Sequence, residues 1–215
     1  MESSHVASGL GALEGATGNA SNNDWRPGSS PVRSRKGSVT MATDDSQQAP
    51  FTADSALTKE EIEQRNLEVV AAHFHNENPD DVDKAIALYA PDICWEAPNR
   101  GVVYTDAQEV KDAYMGIFRT LVFREITNLR RFAAGNFVFD DLIAEVHVVG
   151  NEMPNMPFPV GTTMNVRLVH CFELRDGQIT REIAYEMWRE KGGALDHDAI
   201  PVGAGVTQFP PPGDP

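Results

Sequence analysis

His170 has the setting best suited to proton transfer in this sequence. It lies in VRLVHCFELRDGQITREIAYE, residues 166–186. By the period of two of a strand, Met164, Val166, Leu168, Phe172 and Leu174 share its face, and Thr163, Asn165, Arg167 and Glu173 take the other. A polar ring on an apolar face needs a partner or water, because burying it unpaired is costly. Two readings fit: a core histidine bonded to backbone, or a group that exchanges a proton near neutral pH.

The turn after Leu174 decides what His170 meets. A two-residue turn at Asp176-Gly177 pairs His170 with Ile183 and turns Ile179, Ile183, Tyr185 and Met187 inward. A three-residue loop, Arg175-Asp176-Gly177, sets His170 opposite Glu182, with Ala184 and Glu186 on the same face. A one-residue slip exchanges the whole set. Hydrophobicity favours the first arrangement. In the second, Glu182 or Glu186 sets the protonation of His170, since a carboxylate favours the imidazolium and burial raises a Glu. The bland alternative puts both carboxylates at a solvated rim or a dimer edge.

Other groups could line a site with it. His73, one turn from Val70, is either a pocket donor or a helix-flank histidine. Tyr114 faces the core and could turn its hydroxyl inward, and Trp95 and Phe172 could supply apolar walls, although ordinary packing explains both equally. Tyr104 either closes a pocket mouth or is a surface aromatic. Glu145 and His147 share a strand face, but Leu142, Ala144, Val146 and Val148 make the better inward face. A metal site of Glu145, His147 and His170 is demanded by no spacing, and Cys94 and Cys171 lie at no zinc-motif spacing. No metal is expected.

Composition and charge bound the rest. The chain has 215 residues and a formal net charge of −14. Residues 56–215 carry 26 acidic against 14 basic side chains. Such a surface repels phosphate backbones and anionic lipid, so neither a nucleic acid nor a membrane is an expected partner. No apolar run approaches the roughly 20 residues of a membrane-spanning helix, and MESSHVASGLGALEG has neither a basic start nor an apolar run, so a secretory signal is not expected. The two cysteines read as reduced, in a cytoplasmic protein.

Residues 1–55 are rich in Ser, Gly, Ala and Pro without periodicity and are expected to be disordered, with Met41 as an alternative start. Order is expected from Thr58, which with Glu61 forms a capping box ahead of Leu67, Val70, Ala71 and Phe74. A second helix is expected in DDVDKAIALYA, with Val82, Ile86 and Tyr89 on one side, then a short strand in DICWEAP. Thr105 and Gln108 suggest a second capping box for a third helix through Leu121. Strands are expected at 124–133, 136–149, 162–174 and 178–188, and an irregular tail at 191–215. Helices followed by an antiparallel sheet give an α+β domain over 56–190.

The order helix, helix, LYAPDICWEAP, capped helix, long strands and FELRDGQITREIAYE resembles the nuclear transport factor 2-like superfamily over about residues 60–190. Within it, SnoaL-like polyketide cyclases and ketosteroid isomerases are the most similar groups. The resemblance implies three N-terminal helices packed on a strongly curved antiparallel or mixed sheet, a cone with an apolar pocket, and a homodimer through the outer sheet face. Ungapped counting carries the isomerase base to Ala97, its oxyanion tyrosine to His73, and its Asp partner, which is also the cyclase acid, to His170. The acid of epoxide hydrolases of this fold falls on Ala184. The same counting favours the three-residue turn, which is adopted as the expectation. The resemblance further implies a cofactor-independent enzyme that isomerises, cyclises or dehydrates a small apolar carbonyl compound, with His170, Glu186 and Glu182 as catalytic groups. The alternative is a non-catalytic ligand-binding or dimerisation module.

Overall fold

The computed structural model describes residues 51–210. The expectations for residues 1–50, Met41 included, lie outside the described residues. The α+β class is as expected. Helix α1 (Lys59–Asn76) starts at the Thr58 capping box: Glu61 N donates to Thr58 Oγ1 (3.3 Å) and Thr58 N to Glu61 Oε2 (2.8 Å). Its inward side buries Asn66, Val70 and His73. Helix α2 (Val82–Ile86) is one short turn and a half, because Tyr89 already belongs to strand β1 (Tyr89–Ala97). The helical spacing of Val82, Ile86 and Tyr89 suggests a longer helix; pairing of Tyr89 with Ile179 overrides it. Helix α3 (Ala107–Thr120) is capped by Asp106 rather than Thr105: the Asp106 carboxylate accepts from Gln108 N and Glu109 N.

One mixed sheet of seven strands carries the domain. Its strands are β1, β2 (Val102–Tyr104), β3 (Leu121–Ala134), β4 (Phe137–Val148), β5 (Thr163–Arg175), β6 (Gln178–Glu190) and β7 (Gly205–Gln208), in the order β2-β1-β6-β5-β4-β3-β7. Only β1 and β6 run parallel. The expected irregular tail therefore corrects to a loop followed by β7, which hydrogen-bonds along β3 from Glu125 to Asn128. Two apolar clusters fill the inner face: one around Val70, Ile93, Val110 and Phe172, the other around Leu142, Val146, Met164 and Val166.

The β5–β6 hairpin as a whole follows neither simple alternative. Asp176 and Gly177 both have positive φ (54° and 81°), and Arg175 pairs with Gln178, so the turn is the two-residue hairpin and not the three-residue loop. Leu174 then pairs with Ile179, but Glu173 pairs with Arg181, leaving Thr180 as a bulge. The Thr180 hydroxyl donates to Glu173 O (3.0 Å). Beyond the bulge every β6 residue has changed face. His170 sits opposite Ala184, and Glu182, Ala184 and Glu186 are buried, while Tyr185 and Met187 are exposed.

The long loop after β4 is pinned at its start. Val149 N and Gly150 N both donate to Thr120 O (2.8 and 3.2 Å), and the Thr120 hydroxyl accepts from Glu152 N and Met153 N. A Cβ on Gly150 would lie 2.3 Å from Arg119 O. Gly150→Ala is expected to cost about 1–3 kcal/mol by overpacking this crossing, read as a lower urea midpoint at unchanged m-value. An unchanged midpoint would mean the loop moves away freely.

Candidate functional site

Strand pairing puts His170 beside an acid that the sequence reading missed. Asp140 on β4 is its direct cross-strand neighbour, on the same face. Asp140 Oδ2 lies 3.6 Å from His170 Nδ1, and each atom is buried with no hydrogen bond of its own. The other carboxylate oxygen, Oδ1, accepts from Arg131 Nε (2.6 Å), and that guanidinium lies 4.7 Å from the centre of the Phe74 ring. Arg131 reaches this face because β3 is irregular between Asn128 and Arg130. Phe74 meets the imidazole edge-on and Phe172 stacks on it. Burial works against a charged His170, but Asp140 and the more distant Glu182 outweigh it and raise the imidazole above its usual value. With Nδ1 turned to Asp140, Nε2 is the nitrogen left for a ligand.

Glu182 lies in a second polar cluster that is fully satisfied. Its Oε2 accepts from the Tyr89 hydroxyl (2.6 Å) and lies 3.2 Å from His73 Nε2; Oε1 is 3.2 Å from the Tyr114 hydroxyl. Glu77, one helical turn beyond His73, reaches the same Nε2 at 2.8 Å. His73 Nδ1 faces Ala85 O at 3.4 Å. Burial disfavours the imidazolium, yet the two carboxylates push His73 up to about 10. Burial likewise opposes the charge on Glu182, and His73 beside it holds the carboxyl below its ordinary range. Tyr89 and Tyr114 are held well above theirs, by burial first and then by Glu182. Among the described residues, His73, Glu77 and Glu182 form the one His/carboxylate group compact enough to share a cation, with donor atoms within 4.8 Å. The imidazole proton and two phenols already satisfy it.

Glu186 is occupied elsewhere. Arg100 donates to it twice, Nε to Oε2 (2.7 Å) and Nη2 to Oε1 (3.0 Å), and Trp188 Nε1 adds a third bond to Oε2 (3.0 Å). Both oxygens are thus held by a buried ion pair, so Glu186 does not partner His170 as expected; Asp140 does. Glu145 pairs with Lys191 and His147 with Thr163, away from His170.

A cavity of about 690 Å³ opens beside these groups. His170, Glu182, Glu186, Trp95 and Tyr114 line it, with Trp188 and the apolar side chains of α3 and β3–β5. The last strand adds Thr207, and Phe209 lies just beyond it. His73 and Phe172 are fully buried and do not reach the wall. His73 acts on the cavity only through Glu182 and Tyr114, and Phe172 separates the two histidines. Tyr104 packs on Trp95 (5.7 Å between ring centres) outside the cavity.

The missed residues left unequal traces. Asp140 continues the series Leu142, Ala144, Val146 by two, so the period that singled out His170 also marked it. Glu77 stands four residues after His73, as the C-cap of α1. Tyr89 was hidden by its apparent helical spacing, and Arg131 by an irregularity that no local pattern announces.

The family model of the SnoaL-like domain matches residues 70–182. No curated protein sequence matches the chain. Among solved structures, a candidate SnoaL-like polyketide cyclase from Jannaschia sp. CCS1 is similar at 17% identity and a TM-score of 0.52, over 60% of this chain and 90% of that one. A candidate polyketide cyclase from Silicibacter sp. TM1040 is similar at 16% identity and a TM-score of 0.50, over 59% and 91%. At such identities the likeness speaks for the fold alone.

Proposed function

Because the chain belongs to the SnoaL-like domain family, we propose that it is a cofactor-independent enzyme that moves a proton on a small apolar carbonyl compound. The observation that carries this reading is the buried Asp140–His170 pair, without other partners for Nδ1 and Oδ2, whose His170 stands on the wall of a 690 Å³ cavity. In this reading the helices and sheet form a cone whose hollow receives the ligand, a volume within the usual range for small-molecule sites. Asp140 orients the imidazole and stabilises its charged form, and His170 Nε2 takes the proton from a carbon next to the carbonyl. Isomerisation, aldol-type cyclisation and dehydration all begin with that step. Glu182 enters as a fixed negative charge rather than as a second base.

Support for a homodimer through the outer sheet face comes from a row of paired residues across four strands, Ile183, Cys171, Phe139 and Phe132. A second functional reading, a ligand-binding module without turnover, draws on Ala184: directly opposite His170, it offers no second acid.

Solvent deuterium exchange into 2-acetylnaphthalene, followed by NMR, separates the two readings without the natural substrate. Exchange catalysed by the full chain is expected, whereas binding without exchange would leave the module. The neutral ring is the base, so the rate should rise with pH through an inflection above the ordinary imidazole value of about 6.5. Asp140→Asn removes the nearest charge that raises His170, so that inflection should move to lower pH. An inflection that stays in place would remove Asp140 from the mechanism.

A further inference from the structure

Among the described residues, four buried side-chain nitrogen or oxygen atoms lack a hydrogen bond: Asp140 Oδ2, His170 Nδ1, Arg189 Nε and Trp95 Nε1. The first two face each other. Trp95 is different: it is 3% exposed, lines the cavity, and its indole N–H completes no well-formed hydrogen bond, although it lies against the Tyr114 hydroxyl. Leaving such a donor unpaired costs roughly 1–3 kcal/mol. The contrast with Trp188, on the same wall, is direct, since its N–H is used on Glu186. Tyr114 and the half-buried Arg131, also at the cavity, are both used, Tyr114 within the Glu182 cluster and Arg131 on Asp140.

Trp95 is also held rigidly. It pairs with Tyr104 on β2 and with Glu182 on β6, its ring packs on Tyr104 and edge-on to Tyr114, and the Arg100 guanidinium lies 6.0 Å from its centre. An indole nitrogen donates and never accepts, so a group that satisfies it must be an acceptor.

We propose that Trp95 Nε1 is the ligand's carbonyl anchor: it donates a hydrogen bond to the carbonyl oxygen of an apolar ketone or aldehyde in this cavity. The assignment rests on the proton-transfer reading for its catalytic meaning and deepens it. When His170 takes the α proton, the C–H electron pair forms the carbon–carbon double bond of an enolate. The carbonyl electrons move onto the oxygen, and the Trp95 bond strengthens as charge gathers there. Protonation of carbon by His170 reverses the step. The cavity accordingly selects carbonyl compounds over hydrocarbons of the same shape.

The test pairs 2-acetylnaphthalene with 2-isopropylnaphthalene, alike in shape but lacking an acceptor, and uses the full chain. The acetyl compound should bind roughly fivefold more tightly. Its carbonyl stretch should move to lower frequency on binding, and one tryptophan indole proton should shift downfield in NMR with this probe and not with the other. Trp95→Phe should keep the isopropyl affinity and lose both the preference and the infrared shift. Equal affinities in the unaltered chain, absence of binding by both probes, or a shift that survives Trp95→Phe would each overturn the proposal. The indole proton reports on the unaltered chain, so a variant that fails to fold does not remove the test. A Trp95-dependent shift without deuterium exchange would uphold the anchor while ending the catalytic reading.

Discussion

Glu182→Leu is expected to destabilise the domain by about 3–5 kcal/mol, the usual cost of stranding one member of a buried ion pair. Glu182 is 1% exposed and receives the Tyr89 hydroxyl, the Tyr114 hydroxyl and the His73 imidazolium. Removing it leaves Tyr89 without its strongest acceptor and leaves His73 with Glu77 alone. Since domains of this size are stable by only about 5–15 kcal/mol, urea denaturation should show a large fall in midpoint. The double variant His73→Phe/Glu182→Leu should recover part of the loss, because apolar pairs replace buried ion pairs without the desolvation cost. No recovery would mean that the phenols, not the charges, dominate.

The same cluster gives stability a pH dependence of definite sign. The folded-state value of His73, about 10, lies above the unfolded value near 6.5. Its contribution is therefore complete below pH 6.5 and is lost as pH rises toward 10. The carboxyl of Glu182 is lowered, so its contribution is present above its ordinary value and fades as pH falls below it. The melting temperature should decline between pH 7 and 10 in the unaltered chain and decline less in His73→Phe.

His170→Asn is the second large effect, and it falls on activity. Deuterium exchange should drop by about 10²–10⁴-fold, the contribution of a positioned acid–base group. Stability should change by no more than roughly 1 kcal/mol, because Asp140 keeps its bond to Arg131. Exchange at the original rate would transfer the role to another group, with Glu182 the first candidate on the cavity wall. A large loss of stability with little change in exchange would instead mark His170 as a packing residue between Phe74 and Phe172.

Local chemistry was the legible part of this fold. The capping box at Thr58 and Glu61, the inward series ending at Val148, and the apolar face bearing His170 all arise from periods and spacings within one segment. The site was less legible, because its pairings cross strands. Asp140 was within reach of the same period-two argument. Tyr89 was not, because its spacing from Val82 and Ile86 fits a helix, and only the pairing with Ile179 makes it a strand residue. Strand β7 is four exposed residues whose existence depends on the free edge of β3. The face of Glu182 and Glu186 was expected correctly but from a three-residue turn; a two-residue turn and then an extra residue give the same result.

That extra residue, Thr180, works on β6 as an inserted letter works on a reading frame. Upstream of it Ile179 points into the core, as the apolar pattern dictates; downstream, the pattern is read in the other phase. In phase, Ile183, Tyr185 and Met187 would fill the interior with hydrocarbon and phenol. Out of phase, the interior receives Glu182, Ala184 and Glu186. Shifting one residue out of the hydrogen-bonded ladder converts a strand that would seal a core into one that leaves a charged wall beside a hollow.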